Sequence, residues 1–409
     1  MKILHTSDWH LGRTLYGRRR YEESAAFLDW LADQIRERQA DALLVAGDIF
    51  DTVTPGNQSQ QLYYHFLHQT AGSCCRHIVI VGGNHDSPSF LDAPRDLLRA
   101  LNVYVVGAPA DDPTEEVLVL RDRESRAEAV VCAVPYLRDR DIRTVQADES
   151  ADDKNLRLLA GIRRHYETVC GLADERRTDL GDIPLIAMGH LFAAGGRCAE
   201  GDGVRDLYVG TLAHVAADLF PPCIDYLALG HLHVPQKVAG QHHLRYSGSP
   251  LPMGFGEARQ AKQVIEVSFD GRKPSVIELP VPSFQELVSL AGPLEDILAK
   301  IEALKADASA AWLDILCTDQ QAALELREQV EQAVSGSALE IRRIRNRSVM
   351  DQALSAMHVD EELETLDETA VFRRCLEQFE VPAEEQPDLM LAYQEILADL
   401  RQDDKMAEA

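Results

Sequence analysis

The chain has 409 residues, 45% of them hydrophobic and 26% charged, the balance of an ordinary globular protein; this length exceeds the roughly 250–300 residues of a single core and predicts two or three domains. No apolar run approaches the roughly 18–20 residues of a membrane span, and a carboxylate at Asp8 comes too early for a secretory leader, so a cytoplasmic protein is expected. A formal charge of −26 argues against a protein that holds nucleic acid through its overall field, but half of the excess lies in residues 351–409, where 17 acidic side chains meet four basic ones, and basic clusters survive elsewhere.

Apolar runs at 2–6, 42–46 and 77–81 read as buried strands, separated by helical patterns over 21–38 and 57–70. Each strand runs into a polar, Gly- or Asp-containing loop, the place where open α/β sheets put their ligand sites. More strands are expected near 129–134, 185–188 and 226–229, then in β-rich stretches at 244–247, 263–269 and 275–279. The sum is an α/β sandwich of two sheets flanked by helices. Leu279-Pro280-Val281-Pro282-Ser283 reads as a boundary. Beyond it lies a β-α-β-α-β pattern: strand 284–290, a helix after Pro293, strand 312–317, helix 319–334 and strand 339–344. From about residue 359 the chain reads as two acidic helices, broken at Val381-Pro382-Ala383. The eight cysteines include no C-x-x-C pair, so scattered reduced thiols are expected rather than a structural zinc site.

Five short motifs fall at strand ends: Asp8-Trp9-His10, Gly47-Asp48-Ile49-Phe50-Asp51, Gly83-Asn84-His85-Asp86, Gly189-His190 and Gly230-His231-Leu232-His233. Each alone is weak; their order and placement make the signal. Asp8 and His10, two apart at a strand end, can lean to one side and share a metal. Asp48 offers a carboxylate able to bridge two cations, Asn84 a neutral carbonyl oxygen, and His190, His231 and His233 imidazole nitrogens. Oxygen and nitrogen donors without thiolate suit manganese, iron or zinc. Two such ions about 3.5–4 Å apart clamp a phosphate and activate water for in-line attack.

These motifs resemble those of the calcineurin-like metallophosphoesterases. Residues 1–12, 46–51, 83–87 and 229–233, with Val204-Arg205-Asp206-Leu207-Tyr208-Val209-Gly210-Thr211 and Tyr246-Ser247-Gly248-Ser249-Pro250, are similar to the SbcD family of nuclease subunits. The resemblance is strong over roughly 1–280 and one of layout beyond. It implies a metallophosphoesterase β-sandwich flanked by helices (1–280), a small α+β capping domain for DNA recognition (281–347) and a C-terminal helical partner-binding segment (348–409). It implies a two-metal DNA nuclease, a 3′–5′ exonuclease on double strands and an endonuclease on single strands and hairpins, acting in recombination, repair and replication. Asp8, His10, Asp48 and His233 would hold the first metal, and Asp48, Asn84, His190 and His231 the second, with manganese the expected ion. His85 matches the family's catalytic histidine, suited to protonating the leaving oxygen or stabilising transition-state charge, and Asp86 would orient it by a hydrogen bond. Asp51 either supports the ligands or is a loop carboxylate. Homodimerisation is a further implication. The chain has no Walker A pattern, so ATP must act through another chain. The family supplies an SbcC-like coiled-coil ATPase, gripped by the acidic tail.

Weaker signals remain. Arg13, Arg18, Arg19 and Arg20 follow the first metal motif and are expected to guide a DNA backbone, or else form a solvated loop. Arg138, Arg140 and Arg143, and Arg342, Arg343, Arg345 and Arg347, are open between DNA contact and internal pairing. Val371, Phe372, Cys375, Leu376 and Phe379, then Leu389, Leu391, Tyr393, Ile396, Leu397 and Leu400, recur at helical spacing and are expected to face the partner. The competing readings are a stand-alone phosphoesterase acting on nucleotides or phosphoproteins, and a scaffold with a degenerate site; every expected ligand is present, against the latter.

Overall fold

The computed structural model describes residues 1–142, 151–192, 219–319 and 323–347, and in the tail Thr369, Phe372, Arg373, Leu376 and residues 386–387 and 389–394. The stretch Val204–Thr211, Arg143, the break at Val381–Ala383, and Val371, Cys375, Phe379, Ile396, Leu397 and Leu400 lie outside the described residues. The chain divides into two units, Met1–Phe284 and Gln285–Ala409.

In the first unit the central strands are buried on both faces, so their period-two alternation sorts side chains between layers. Leu4, Leu43, Val45, Ile78 and Ile80 turn to Phe27, Leu31 and Phe66 of helices Tyr21–Arg38 and Asn57–Ala71. Ile3, Leu44, Val79 and Val81 turn the opposite way, onto Val131, Ile186, Met188 and Ala228 of a second sheet. The first sheet runs Lys273–Pro280, Gln263–Asp270, Lys2–Thr6, Ala42–Ala46, His77–Val81, Val103–Val106, with the last four parallel. The second runs Gln236–Lys237, Leu244–Tyr246, Tyr226–Gly230, Leu185–His190, Ala127–Ala133, Val117–Arg121, with the middle four parallel. Helix Ala151–Leu180 covers its outer face through Ile162, Tyr166, Val169, Cys170 and Ala173. The expected two-sheet sandwich with helical flanks is therefore the fold. Its edge strands Val103–Val106 and Val117–Arg121 and helix Ala151–Leu180 were not read from the sequence: short strands and a charge-rich helix carry little periodic contrast.

Gln285–Ala409 contains a parallel three-stranded sheet, Leu287–Gly292, Trp312–Cys317 and Glu340–Asn346, in that order. Helices Leu294–Ala306 and Ala323–Val334 bury Ile297, Ile301, Leu326 and Val330 against Leu313 and Ile315. In the tail the rings of Phe372 and Tyr393 stack 4.0 Å apart, and Leu376 is buried, whereas Leu389 and Leu391 are 42% and 58% exposed.

A fully buried polar contact crosses the middle of the sandwich. His5, in strand Lys2–Thr6, is fully buried, with Nδ1 2.9 Å from the Tyr226 hydroxyl and Nε2 3.2 Å from the Leu229 carbonyl oxygen of the other sheet. Burial pushes its pKa down from 6.5 to about 3. The unfolded chain thus takes up a proton below pH 6.5 that the folded chain refuses, and the stabilisation present above 6.5 is lost as pH falls toward 3. This one group is expected to remove about 2 kcal/mol between pH 7 and 5. Denaturant titrations of metal-free protein should show a flatter pH dependence for His5→Gln over that range than for wild type; parallel curves would contradict the assignment.

Candidate metal centre

The parallel strands of both sheets deliver their carboxyl ends to one rim, and the five short strand-end motifs sit there. Asp8 and His10 follow strand Lys2–Thr6, Asp48 follows Ala42–Ala46, Asn84 and His85 follow His77–Val81, His190 ends Leu185–His190, and His231 and His233 follow Tyr226–Gly230. Close packing holds the loops together. A Cβ on Gly83 would lie 2.1 Å from Asp48 Oδ1, and one on Gly47, at φ +85°, 2.2 Å from His190 Nδ1. Asp8, His10, Asp48 and His231 themselves have φ of 55°, 46°, 51° and 101°. Left-handed backbone at four non-glycine residues of one site is strain that the surrounding structure must hold in place.

Three groups of ligating atoms result among the described residues, one of them His10, Asp51 and His85, which shares His10 with another. Those of Asp8, His10 and His233 lie within 4.8 Å of one another, as do those of Asp48, His190 and His231. Asp48 Oδ2 stands between the groups, 3.6 Å from His10 Nε2 and 3.2 Å from His190 Nε2. His10 Nε2 and His233 Nε2 face each other at 3.2 Å, and Asn84 Oδ1 is 3.0 Å from both His190 Nε2 and His231 Nδ1. Acceptor lone pairs converge here with few protons to share, and a divalent cation fits that donor set.

The electrostatics agree. Burial opposes ionisation of Asp48, but the imidazoles of His190, His85 and His10 outweigh it and hold the carboxyl well below its usual range. His190 is buried too, yet the Asp48 and Asp8 charges raise it to about 9. Its Nδ1 donates to the Ala46 carbonyl at 2.9 Å, so the Nε2 proton occupies the position a cation would take. Burial lifts Asp8 to about 6, reinforced by Asp48. Burial, with the charge on His190, presses His231 down to about 3, keeping a lone pair available.

Around these atoms several residues differ from their sequence reading. Asp86 does not orient His85: its buried carboxylate accepts from the backbone N–H groups of Gly83, Ile49 and Phe50 at 2.9, 3.1 and 3.0 Å, tying the Asp48 loop to the Asn84 loop. The partner of His85 Nδ1 is the Asp51 carbonyl, 2.9 Å away, while its backbone N–H donates to Asp48 Oδ1 at 2.9 Å. Because a carbonyl only accepts, Nδ1 carries the proton and Nε2 is left as the lone-pair nitrogen. The Asp51 carboxylate stands 3.2 Å from His10 Nδ1 and 3.1 Å from Arg13 Nη1, so it faces the centre. Ser7 and Ser247 brace Asp8, at 2.6 Å from Ser7 Oγ to Asp8 Oδ2 and 2.7 Å between hydroxyls. Both serines lie in segments that carry the family resemblance, but neither is singled out there as a site residue.

The expected DNA-contacting arginines also separate. Thr14–Leu15 and Arg18–Arg19 pair as a tight hairpin turned by Tyr16 and Gly17, both at positive φ. Arg18 and Arg19 are exposed on it. Arg13 is engaged with Asp51, and Arg20 is 4% exposed, its guanidinium forked onto Glu23 at 2.9 and 2.6 Å and donating to the Pro252 carbonyl. Arg138 donates to the Asp86 carbonyl at 3.2 Å. Far from this centre in sequence, Arg343 and Arg345 both clamp Asp314, and Arg342 pairs with Glu340.

Comparison with known proteins agrees with the centre. Residues 1–235 match the calcineurin-like phosphoesterase family and residues 283–379 the type 5 capsule protein repressor C-terminal domain. The chain is 37% identical over 383 residues to the SbcD component of the nuclease SbcCD from Escherichia coli, covering 92% of each chain. It is 38% identical to the SbcD component from Rhodobacter capsulatus, covering 74% of this chain and 76% of that one, and 39% identical to that of Bacillus subtilis, covering 64% and 65%.

The hairpin arginines offer a clean contrast. Arg20→Ala strands the buried Glu23 carboxylate and is expected to cost about 3–5 kcal/mol in denaturant unfolding, whereas Arg18→Ala and Arg19→Ala should stay within about 0.5 kcal/mol of wild type.

Proposed function

The chain belongs to the calcineurin-like phosphoesterases and, among them, to the SbcD family of nuclease subunits, and on that premise we propose that its two ligand sets hold two divalent cations that cut DNA for an ATP-driven complex. As a metal-dependent phosphodiesterase of this family it needs divalent ions; manganese is the ion we expect. Asp8, His10, Asp48 and His233 form the first set, and Asp48, Asn84, His190 and His231 the second. The observation that carries this is the crowding of donor atoms about Asp48 Oδ2, with the imidazole nitrogens of His10 and His190 3.6 and 3.2 Å away, and His190 and His231 each 3.0 Å from Asn84 Oδ1. The ions supply Lewis acidity toward the phosphodiester and acidify an attacking water. The protein's own groups do the rest. Strained loops fix the ligands in advance, His85, once protonated at Nε2 from solvent, gives that proton to the departing oxygen, and Asp86 locks the two loops that carry Asp48 and His85.

Within that chemistry we assign 3′–5′ exonuclease action on double strands and endonuclease action on single strands and hairpins. Arg18 and Arg19, exposed on the hairpin beside the centre, meet the phosphate backbone, while Arg13 and Arg20 serve the centre and its walls. Residues 281–347 form a capping domain for DNA, and residues 348–409 a docking segment for an SbcC-like coiled-coil ATPase. In that segment Leu389 and Leu391 are the exposed apolar side chains among the described residues, which suits them as anchors, whereas Leu376 is already buried. Homodimerisation and a cytoplasmic location complete the proposal; no helix among the described residues is long and apolar enough to cross a membrane. A stand-alone phosphoesterase is not favoured, since the alignment to a named nuclease subunit spans 92% of the chain.

Chelation is expected to abolish DNA cleavage and manganese to restore it best; full activity after verified metal removal would refute the two-metal reading. Asp48→Ala should empty the centre, whereas His85→Ala should keep both ions by elemental analysis and lose about 10²-fold or more in rate. Equal metal loss in both would overturn the division of roles. A chain ending at Arg347 should keep its ions and cleave simple phosphodiesters while losing ATPase binding. Unchanged binding would refute the docking role, and loss of folding would assign the tail to the protein's own core.

A further inference from the structure

The histidines of the two ligand sets are backed differently. His190 Nδ1 donates to a neutral backbone carbonyl, that of Ala46, at 2.9 Å. His10 Nδ1 instead faces the Asp51 carboxylate at 3.2 Å, and Arg13 holds that carboxylate at 3.1 Å. His233 has a counterpart on the other side. Glu257, 0% exposed in the short turn Phe255–Glu257, places Oε1 3.8 Å from His233 Nδ1, and that oxygen has no hydrogen-bond partner. Its second oxygen accepts from the Met253 N–H at 3.0 Å and from Lys262 Nζ. Lys262 is itself 5% exposed, and its ammonium also donates to the His233 carbonyl at 3.1 Å and to Ser249 Oγ at 3.0 Å. A buried carboxylate with one oxygen fully used and the other aimed, unsatisfied, at an imidazole is costly unless that imidazole becomes its donor.

We propose that Glu257, clamped by Lys262, is a positioning residue for His233, and that it makes the first ligand set the tighter of the two cation sites. The inference rests on the ligand assignment above. Nδ1–H closing onto Glu257 Oε1 fixes the ring with Nε2 toward the cation and makes that nitrogen a stronger donor. Lys262 grips the same residue by its backbone, so ring and main chain of His233 are held by one ion pair. With Arg13–Asp51 beside His10, whose Nδ1 likewise has no hydrogen-bond partner as it stands, the first set has two cation-held carboxylates facing its imidazoles. The described residues of the second set offer His190 only a neutral carbonyl. Nothing in the spacing of Glu257 and Lys262 marks them as part of the centre, because they follow the last motif by 24 and 29 residues.

The test is stepwise manganese loading of metal-free full-length protein, followed by electron paramagnetic resonance. Wild type should fill in two distinguishable steps, and His233→Asn should remove the tighter one. Glu257→Asp keeps the Lys262 ion pair but withdraws the oxygen from the ring; it should weaken the tighter step about 10–100-fold and leave the other unchanged. Glu257→Gln with Lys262→Met, which strands no buried charge and retains a carbonyl acceptor, should recover part of that loss. Thermal unfolding in chelator checks that each variant is folded. If His233→Asn alters neither step, the ligand assignment itself is wrong. If it removes the tighter step while folded Glu257→Asp loads like wild type, the ligand assignment stands and the role given to Glu257 is overturned.

Discussion

The Asp48 carboxylate is the interaction on which the rest of the centre depends. It is 2% exposed, it faces imidazoles from both sheets, and one of its oxygens is pinned by the His85 N–H. A negative charge so deeply buried is tolerable only where positive charge is close. In the metal-free protein the raised pKa of His190 provides it; on the proposed assignment, divalent cations would replace that proton. Folding thus builds a site whose electrostatic balance is completed by a cation, and metal binding should stabilise the fold as well as enable the chemistry.

Such a carboxylate must also be aimed, and the aiming comes from backbone rather than from long side chains. Asp8, His10, Asp48 and His231 occupy left-handed conformations that non-glycine residues avoid. Asp86 holds the Asp48 and Asn84 loops in register through three backbone N–H groups, and the close approach at Gly83 leaves no space for a side chain. Strain of this kind persists only where neighbours over-determine it. It also pre-organises the ligands, so that little reorganisation is left for the moment of reaction.

The charge of the chain and its role on DNA are compatible once position is considered. The acidic excess sits largely in residues 351–409, away from the centre in sequence, and several arginines near the centre are spent internally. Arg13 and Arg20 neutralise Asp51 and Glu23. What remains exposed next to the site is a two-arginine hairpin, small enough that the wider electrostatic attraction to DNA falls to other surfaces or to partner chains.

By itself the sequence determined the buried central strands, the sandwich class and the metal-ligand candidates, because each of these is local. Buried strands announce themselves as apolar runs such as 42–46, and ligands as polar motifs at strand ends. Tertiary structure decided what those neighbours in sequence do to one another. Asp86 stands beside His85 in the chain yet serves Ile49 and Phe50, because its side chain points into the gap between two loops. Arg20 lies in a basic run yet is sealed against Glu23, and Glu257 and Lys262 reach His233 only because the chain folds back past it. Hydrogen-bond partners, burial and backbone strain depend on which segments meet across tens or hundreds of residues, and no local pattern of residue types carries that information.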